Sequence, residues 1–324
     1  MAAGSSPVGH ATAGRRDANS DLLALLRREE QATAGCISTA RNTARNAPLL
    51  LAAINGAIRV HFPSVARLAC VLFVAVMASS AHAGDAERWP GPFGGAFNAN
   101  FTVTTDYSYA GISNTQLGPA FQVGLDYKTP SLIDAFPLWV FVTGFGTNIS
   151  FPMSGPGVEI DIGGGLKLKV LDDKLSADVG YVRYTYPGIP SAFSFDYGEI
   201  VANLAYDFEL FELKARLRYS PNSFGNSGAS WNKRALLEIP LPFLKFSNDV
   251  SFKTYGSVGN VWVDRFSNYG LPSQDYWYWQ IGLIASAFGL DFTVAYTDTS
   301  IEPLGCGNTN YCSGRIFTSV TKSF

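Results

Sequence analysis

The chain has 324 residues, 47% of them hydrophobic and only 15% charged, with a formal net charge of −2. That balance gives no electrostatic footprint for nucleic acid, and it is neither a disordered nor a collagen-like composition. With 23 Phe, 15 Tyr and 32 Gly it suits a β-rich protein.

In chain order, residues 1–59 come first, rich in Ala, Ser, Arg and Thr and poor in acids. They read as a non-structural extension, with an organelle-type presequence as the other reading. Translation is expected to begin later, for instance at a codon now read as Val60 or Val65. Residues 60–83 read as a secretory signal peptide. Arg67 supplies the positive flank, Leu68–Ala78 an apolar run too short to span a bilayer, and Ala81-His82-Ala83 the cleavage site. Cys70 precedes the apolar core, which argues against a lipoprotein signal.

Cleavage before Gly84 removes His10, His61, His82, Cys36 and Cys70. Eight of the 24 Lys/Arg but only four of the 26 Asp/Glu lie before that point, so the remainder is acidic. A Ser-His-Asp hydrolase then lacks its base. Cys306 and Cys312 remain, in the Gly/Asn-rich stretch LGCGNTNYCSG, and read as a loop disulfide of an exported protein rather than a metal site.

Residues 84–324 are dominated by period two. In GVEIDIGGGLKLKV, Val158, Ile160, Ile162, Leu166 and Leu168 alternate with Glu159, Asp161, Lys167 and Lys169. In LFELKARLRY, Phe211, Leu213, Ala215, Leu217 and Tyr219 alternate with Glu212, Lys214, Arg216 and Arg218. Such alternation makes strands with one apolar and one wet face. Twelve runs are expected near 96–109, 120–128, 138–147, 157–169, 174–185, 195–206, 210–220, 231–240, 248–256, 276–286, 289–297 and 314–324. Most have about the 9–11 residues with which a tilted strand crosses a bilayer.

The connections alternate too. LDD, DFE and FG are tight, whereas PNSFGNSGAS, SVGNVWVDRFSNYGLPSQD and DTSIEPLGCGNTNYCSG are long. This is the plan of an outer-membrane barrel. A soluble sandwich or barrel also alternates, but twelve strands closed with the apolar face inward leave a core too wide to fill. The expected fold is therefore all-β: a transmembrane antiparallel up-and-down barrel of about 12 strands in the bacterial outer membrane. Tyr107, Tyr109, Tyr127, Tyr184, Tyr219, Trp277, Trp279 and Tyr296 are candidates for interfacial girdles. An autotransporter is disfavoured, because only GDAERWPGPFGG separates the cleavage site from the first strand.

The last run places Ile316, Thr318, Val320 and the terminal Phe324 on one face, interrupted by Lys322. It resembles the C-terminal signature of bacterial outer-membrane proteins, which implies recognition of Phe324 by the barrel assembly machinery.

DYSYAGISNTQLGPAFQVGLDY resembles the start of the TorF-type putative porin family of proteobacteria. Asp106-Tyr107, Gly111-Ile112-Ser113, Pro119-Ala120 and Gly124-Leu125-Asp126-Tyr127 carry the resemblance. Where that family commonly has an arginine before GIS, this chain has Ala110. The resemblance implies diffusion across the outer membrane. From the residues themselves, Gly111 is read as permitting a positive φ or a close approach. Gln122 and Asp126 are expected to face the lumen, and Val123, Leu125 and Tyr127 lipid. The hairpin itself is read as the closing partner of the last strand.

The inward, pore-lining positions are expected to be Asp126, Glu159, Asp161, Lys167, Lys169, Asp178, Glu199, Glu212, Lys214, Arg216, Arg218, Arg234, Glu238, Lys253 and Asp291. Glu159 and Asp161 are read as lumen charge neutralised by Lys167 and Lys169, not as an acid–base pair. Gly163 and Gly165 sit inside a strand, not in a phosphate loop, and are assigned to lumen crowding or sharp curvature. Side-chain charges in a pore tune selectivity. The expected function is passive diffusion of small hydrophilic solutes through a charge-lined lumen, by a monomer in outer-membrane lipid, with no cofactor, catalysis or nucleic acid. The other reading is a non-conducting barrel whose lumen is braced by salt bridges and whose loop 298–313 binds something outside.

Overall fold

The computed structural model describes residues 89–133, 137–244 and 249–324. The signal segment, the cleavage site and residues 1–59 lie outside the described residues.

Twelve antiparallel strands follow one another around a closed barrel. They are β1 (Ala96–Thr104), β2 (Ala120–Lys128), β3 (Leu138–Phe151), β4 (Gly155–Val170), β5 (Leu175–Thr185) and β6 (Tyr197–Asp207). Then come β7 (Glu212–Ser220), β8 (Ser230–Pro240), β9 (Val250–Val263), β10 (Asp275–Ala287), β11 (Leu290–Thr299) and β12 (Arg315–Ser323). Each pairs with its sequence neighbour, and β12 closes on β1 with Thr321 opposite Thr102. Two bonds fasten that seam: the Thr102 and Thr321 hydroxyls are 2.8 Å apart, and the Phe324 N–H donates to the Ala99 carbonyl at 2.8 Å. The final residue is thus built into the wall. No helix among the described residues is long and apolar enough to cross a membrane.

The alternation in sequence becomes an inside and an outside. Ile162 is 62% exposed and Ile281 60%, and Val123, Leu125, Val142, Val179, Ile200, Leu204, Val258 and Val294 also lie on the outer surface. An exposed apolar belt of this extent around a barrel whose inner wall is charged suits lipid, not water. Inside β4, Gly165 makes the close approach of β5 possible. A Cβ there would stand 2.1 Å from the Val179 carbonyl oxygen and 2.6 Å from the Gly180 Cα.

One end of the barrel has tight turns. Residues 171–174 and 208–211 link β4 to β5 and β6 to β7, and Phe288-Gly289 links β10 to β11. Phe288 and Gly289 both have positive φ (56° and 70°), as a two-residue primed turn requires. The other end carries residues 105–119, 186–196, 221–229, 264–274 and 300–314. The β3–β4 connection at this end is short (152–154), because both strands run on beyond their expected limits.

Three expectations need correction. The first run ends at Thr104 rather than 109, because Asp106 draws the chain into the barrel. The stretch expected to be the loop SVGNVWVDRFSNYGLPSQD continues β9 through Val263. Its inward residues there, Val261 and Val263, are apolar and buried against other side chains, so the wet-face pattern fails at that end. Of the proposed girdle residues, Trp277, Trp279 and Tyr296 are exposed, but Tyr184 is 5% exposed inside the barrel. Tyr107 and Tyr109 lie in the lumen.

Candidate functional site

After Thr105 donates to the Thr318 carbonyl at 2.9 Å, the chain leaves the wall and turns into the lumen. Asp106, 4% exposed, holds the base of this excursion. Arg315 Nε donates to its Oδ2 at 2.6 Å, and the Ser113 and Thr115 hydroxyls donate to Oδ1. Arg315 also donates to the carbonyls of Gly111, Tyr311 and Ser313. A buried pair is secure only when its remaining hydrogen-bonding capacity is used in this way.

Residues 108–113 form a miniature hairpin, with Ser108 opposite Ser113 and Tyr109 opposite Ile112. Ala110 (φ 47°) and Gly111 (φ 83°) supply its turn. A side chain at Gly111 would also sit 2.4 Å from Thr299 Cγ2, so both the turn and the close approach require glycine. Ala110 and Ile112 pack on Val261, Val263, Leu271, Tyr276, Tyr278, Ile301 and Cys312. The Cys306–Cys312 disulfide closes the adjoining loop, and the Tyr311 carbonyl accepts the Ser113 N–H at 2.9 Å.

The hairpin reaches walls far from its origin. The Tyr107 hydroxyl donates to Glu159 Oε1 on β4 at 2.9 Å. Arg218 on β7 donates from Nη1 to the Tyr109 hydroxyl at 2.8 Å, with its guanidinium 5.3 Å from the ring centroid. Burial pushes the Tyr109 phenol up to about 12, against the opposing pull of Arg218, so it stays neutral. Ser150 N–H donates to the Asn114 carbonyl at 2.8 Å, tying the segment to β3. On the far side, Phe151, Tyr184, Tyr186, Phe195, Tyr197 and Phe224 form an aromatic cluster, with Phe195 and Phe224 stacked at 4.0 Å. The long-loop end of the lumen is thus narrowed by an infolded loop and an aromatic cushion.

The charged side chains named from the sequence fall in three layers of the inner wall. Nearest the hairpin are Glu159 and Asp161 on β4, Glu199 on β6 and Arg218 on β7. Glu159 and Glu199 are buried, and Arg218 lies 3.8 Å from Glu199. The neutralisation of Glu159 and Asp161 by Lys167 and Lys169 does not occur. Those lysines lie further along β4, and Lys169 pairs with Asp173 in the turn at 3.8 Å. The middle layer runs, in register, Lys167–Asp178–Asn203–Arg216–Arg234. Nearest the tight turns, Lys214 pairs with Glu212 at 2.9 Å and Glu238 at 3.1 Å, and Lys253 reaches Glu238 at 3.7 Å. Asp126 and Asp291 stand apart from these layers. Asp126 faces Asn98 and Thr143 in register, and Asp291 accepts a hydrogen bond from the Ser286 hydroxyl.

Tyr107, Tyr109, Asp106, Asn203 and Arg315 were not expected at the lumen. The sequence holds a signal for the hairpin residues: Asp106, two residues past β1, continues the polar spacing of Asn98, Asn100, Thr102 and Thr104, and Ala110-Gly111 is a turn pair.

The chain is similar in structure to an outer membrane channel from Pseudomonas putida F1 (12% identity, 75% of this chain and 99% of that chain, TM-score 0.42). It is also similar to LpxR from Salmonella typhimurium (9% identity, 70% and 99%, TM-score 0.40). A NanC porin gives 11% identity, 70% and 98% coverage and a TM-score of 0.39. At these scores the similarities carry no functional argument. No curated protein matches the chain in sequence. A bacterial family of unknown function, Gcw_chp, matches residues 90–324, and the chain belongs to that family.

Proposed function

We propose that the chain is a passive outer-membrane channel, of the TorF-type putative porin kind, for small hydrophilic solutes. The observation that supports this most is the inverted distribution of side chains. A closed barrel carries its apolar residues outside and three layers of charge inside, a lining that suits water and ions and has no packing role in a hydrophobic core. The infolded segment 105–119 acts as the constriction and sets the size limit. The signal segment 60–83 delivers the chain for export, Phe324 presents the last strand to the barrel assembly machinery, and the barrel works as a monomer without a cofactor.

A second reading has its own support. Tyr107, Tyr109 and Arg218 span the lumen with buried contacts, as a braced, non-conducting barrel would need. Liposome swelling separates the two. Vesicles containing the purified full chain are expected to swell in isotonic arabinose and more slowly in a disaccharide. No swelling with any small sugar, from vesicles shown to contain folded barrel, would favour the braced barrel.

A further inference from the structure

Arg216 on β7 and Arg234 on β8 are direct cross-strand partners on the inner face. Residues so placed have Cβ atoms about 5 Å apart, and like charges there are destabilising. Their hydrogen-bond partners are neutral. Arg216 Nε donates to Asn203 Oδ1 at 2.6 Å, and Arg234 Nη2 donates to the Ser257 hydroxyl at 3.0 Å. Neither enters an ion pair among the described residues, whereas the basic groups beside them do: Lys214 and Lys253 with Glu238, and Arg218 with Glu199. The nearby acids are therefore already engaged. Asp178 is held on β5, beyond Asn203, accepting from the Asn203 amide nitrogen at 2.6 Å. Asn203, bonded on both sides, fixes the orientation of Arg216. Arg234 Nε is buried and meets no acceptor among the described residues.

We propose that Arg216 and Arg234 form a binding site for small oxyanionic solutes, bearing a carboxylate or a phosphate group, in the middle of the lumen. Two guanidinium groups with N–H groups to spare match the paired oxygens of such an anion, which relieves their mutual repulsion and supplies the missing acceptors. As a step in permeation the proposal rests on the channel reading above; as a binding site it stands on this geometry. The site lies in the layer next to the constriction, where a charged ring selects among solutes.

Titration calorimetry of the detergent-solubilised full chain at low ionic strength tests it, with inorganic phosphate and succinate as separate probes. At least one probe is expected to bind saturably, and which one binds distinguishes a phosphate from a carboxylate solute. Arg216→Gln and Arg234→Gln are each expected to weaken that binding at least tenfold. Lys233→Gln, the exposed outer-face neighbour on β8, is expected to bind as the parent does. Heat-modifiable gel migration verifies that each variant is folded, and using two single variants keeps the test open if one fails to fold. No binding of either probe, or affinity equal to the parent's in both arginine variants, overturns the site. A barrel that binds phosphate but passes no ions would remove the channel reading and leave the site. One that conducts but binds neither probe would remove the site alone.

Discussion

Tyr109 and Arg218 meet across the lumen, from segments 109 residues apart in sequence, through a 2.8 Å hydrogen bond and a 5.3 Å ring–guanidinium contact. With the Tyr107–Glu159 bond, this contact fixes the infolded hairpin to walls on which it did not originate. A hydrogen bond to a charged group is worth about 1.5–3 kcal/mol. Replacing Tyr107 and Tyr109 together by Gly is therefore expected to free the constriction and raise single-channel conductance severalfold. Conductance equal to that of the parent would mean that the hairpin does not limit the pore.

The root of the hairpin is a stronger anchor than its tip. The Arg315 and Asp106 side chains are 12% and 4% exposed. Arg315→Ala leaves a buried carboxylate without its partner, at a cost of about 3–5 kcal/mol. The expected result is a lower urea midpoint for unfolding in detergent, with proteolysis in 105–119 before the barrel itself is lost. An unchanged midpoint with 105–119 still protected would show that Ser113 and Thr115 suffice.

Gly165 tests the close packing of β4 against β5. Gly165→Ala places a methyl within 2.1 Å of a backbone carbonyl oxygen that cannot move without breaking the β4–β5 ladder. The heat-resistant folded band is expected to disappear from unheated gels. Gly155→Ala, where nothing lies within 4 Å, should retain it despite its positive φ.

Ile281 tests which face meets lipid. It stands at mid-strand in β10 and is 60% exposed. Ile281→Arg is expected to cost about 2–4 kcal/mol on refolding into vesicles, whereas Gln280→Arg on the inner face should cost much less. Equal costs would refute the assignment of the outer surface to lipid.

Much of the wall was legible in the sequence, because a strand with one wet and one apolar face writes its period directly, as Glu159-Ile160-Asp161-Ile162 does. Lys214-Arg216-Arg218 could be placed beside Arg234 for the same reason: register follows from successive strands and tight turns. What period two could not reveal is any contact made across the lumen. Tyr107 and Tyr109 look like the end of β1 or like interfacial aromatics, and nothing local says that Asp106 will find Arg315, 209 residues away. Val261 and Val263 misled for the converse reason. They are inward residues that became apolar because the hairpin, not water, is their neighbour.

The most direct measurement is the single-channel conductance and reversal potential, in a planar bilayer under a KCl gradient, of the purified full chain and of the Arg216→Glu, Arg218→Glu double variant. The account predicts stable conductance steps in the parent and a reversal potential shifted toward cation preference in the variant. A folded, inserted barrel that passes no current, or a conductance whose ion preference ignores the reversed charges, would contradict a pore lined by Arg216 and Arg218.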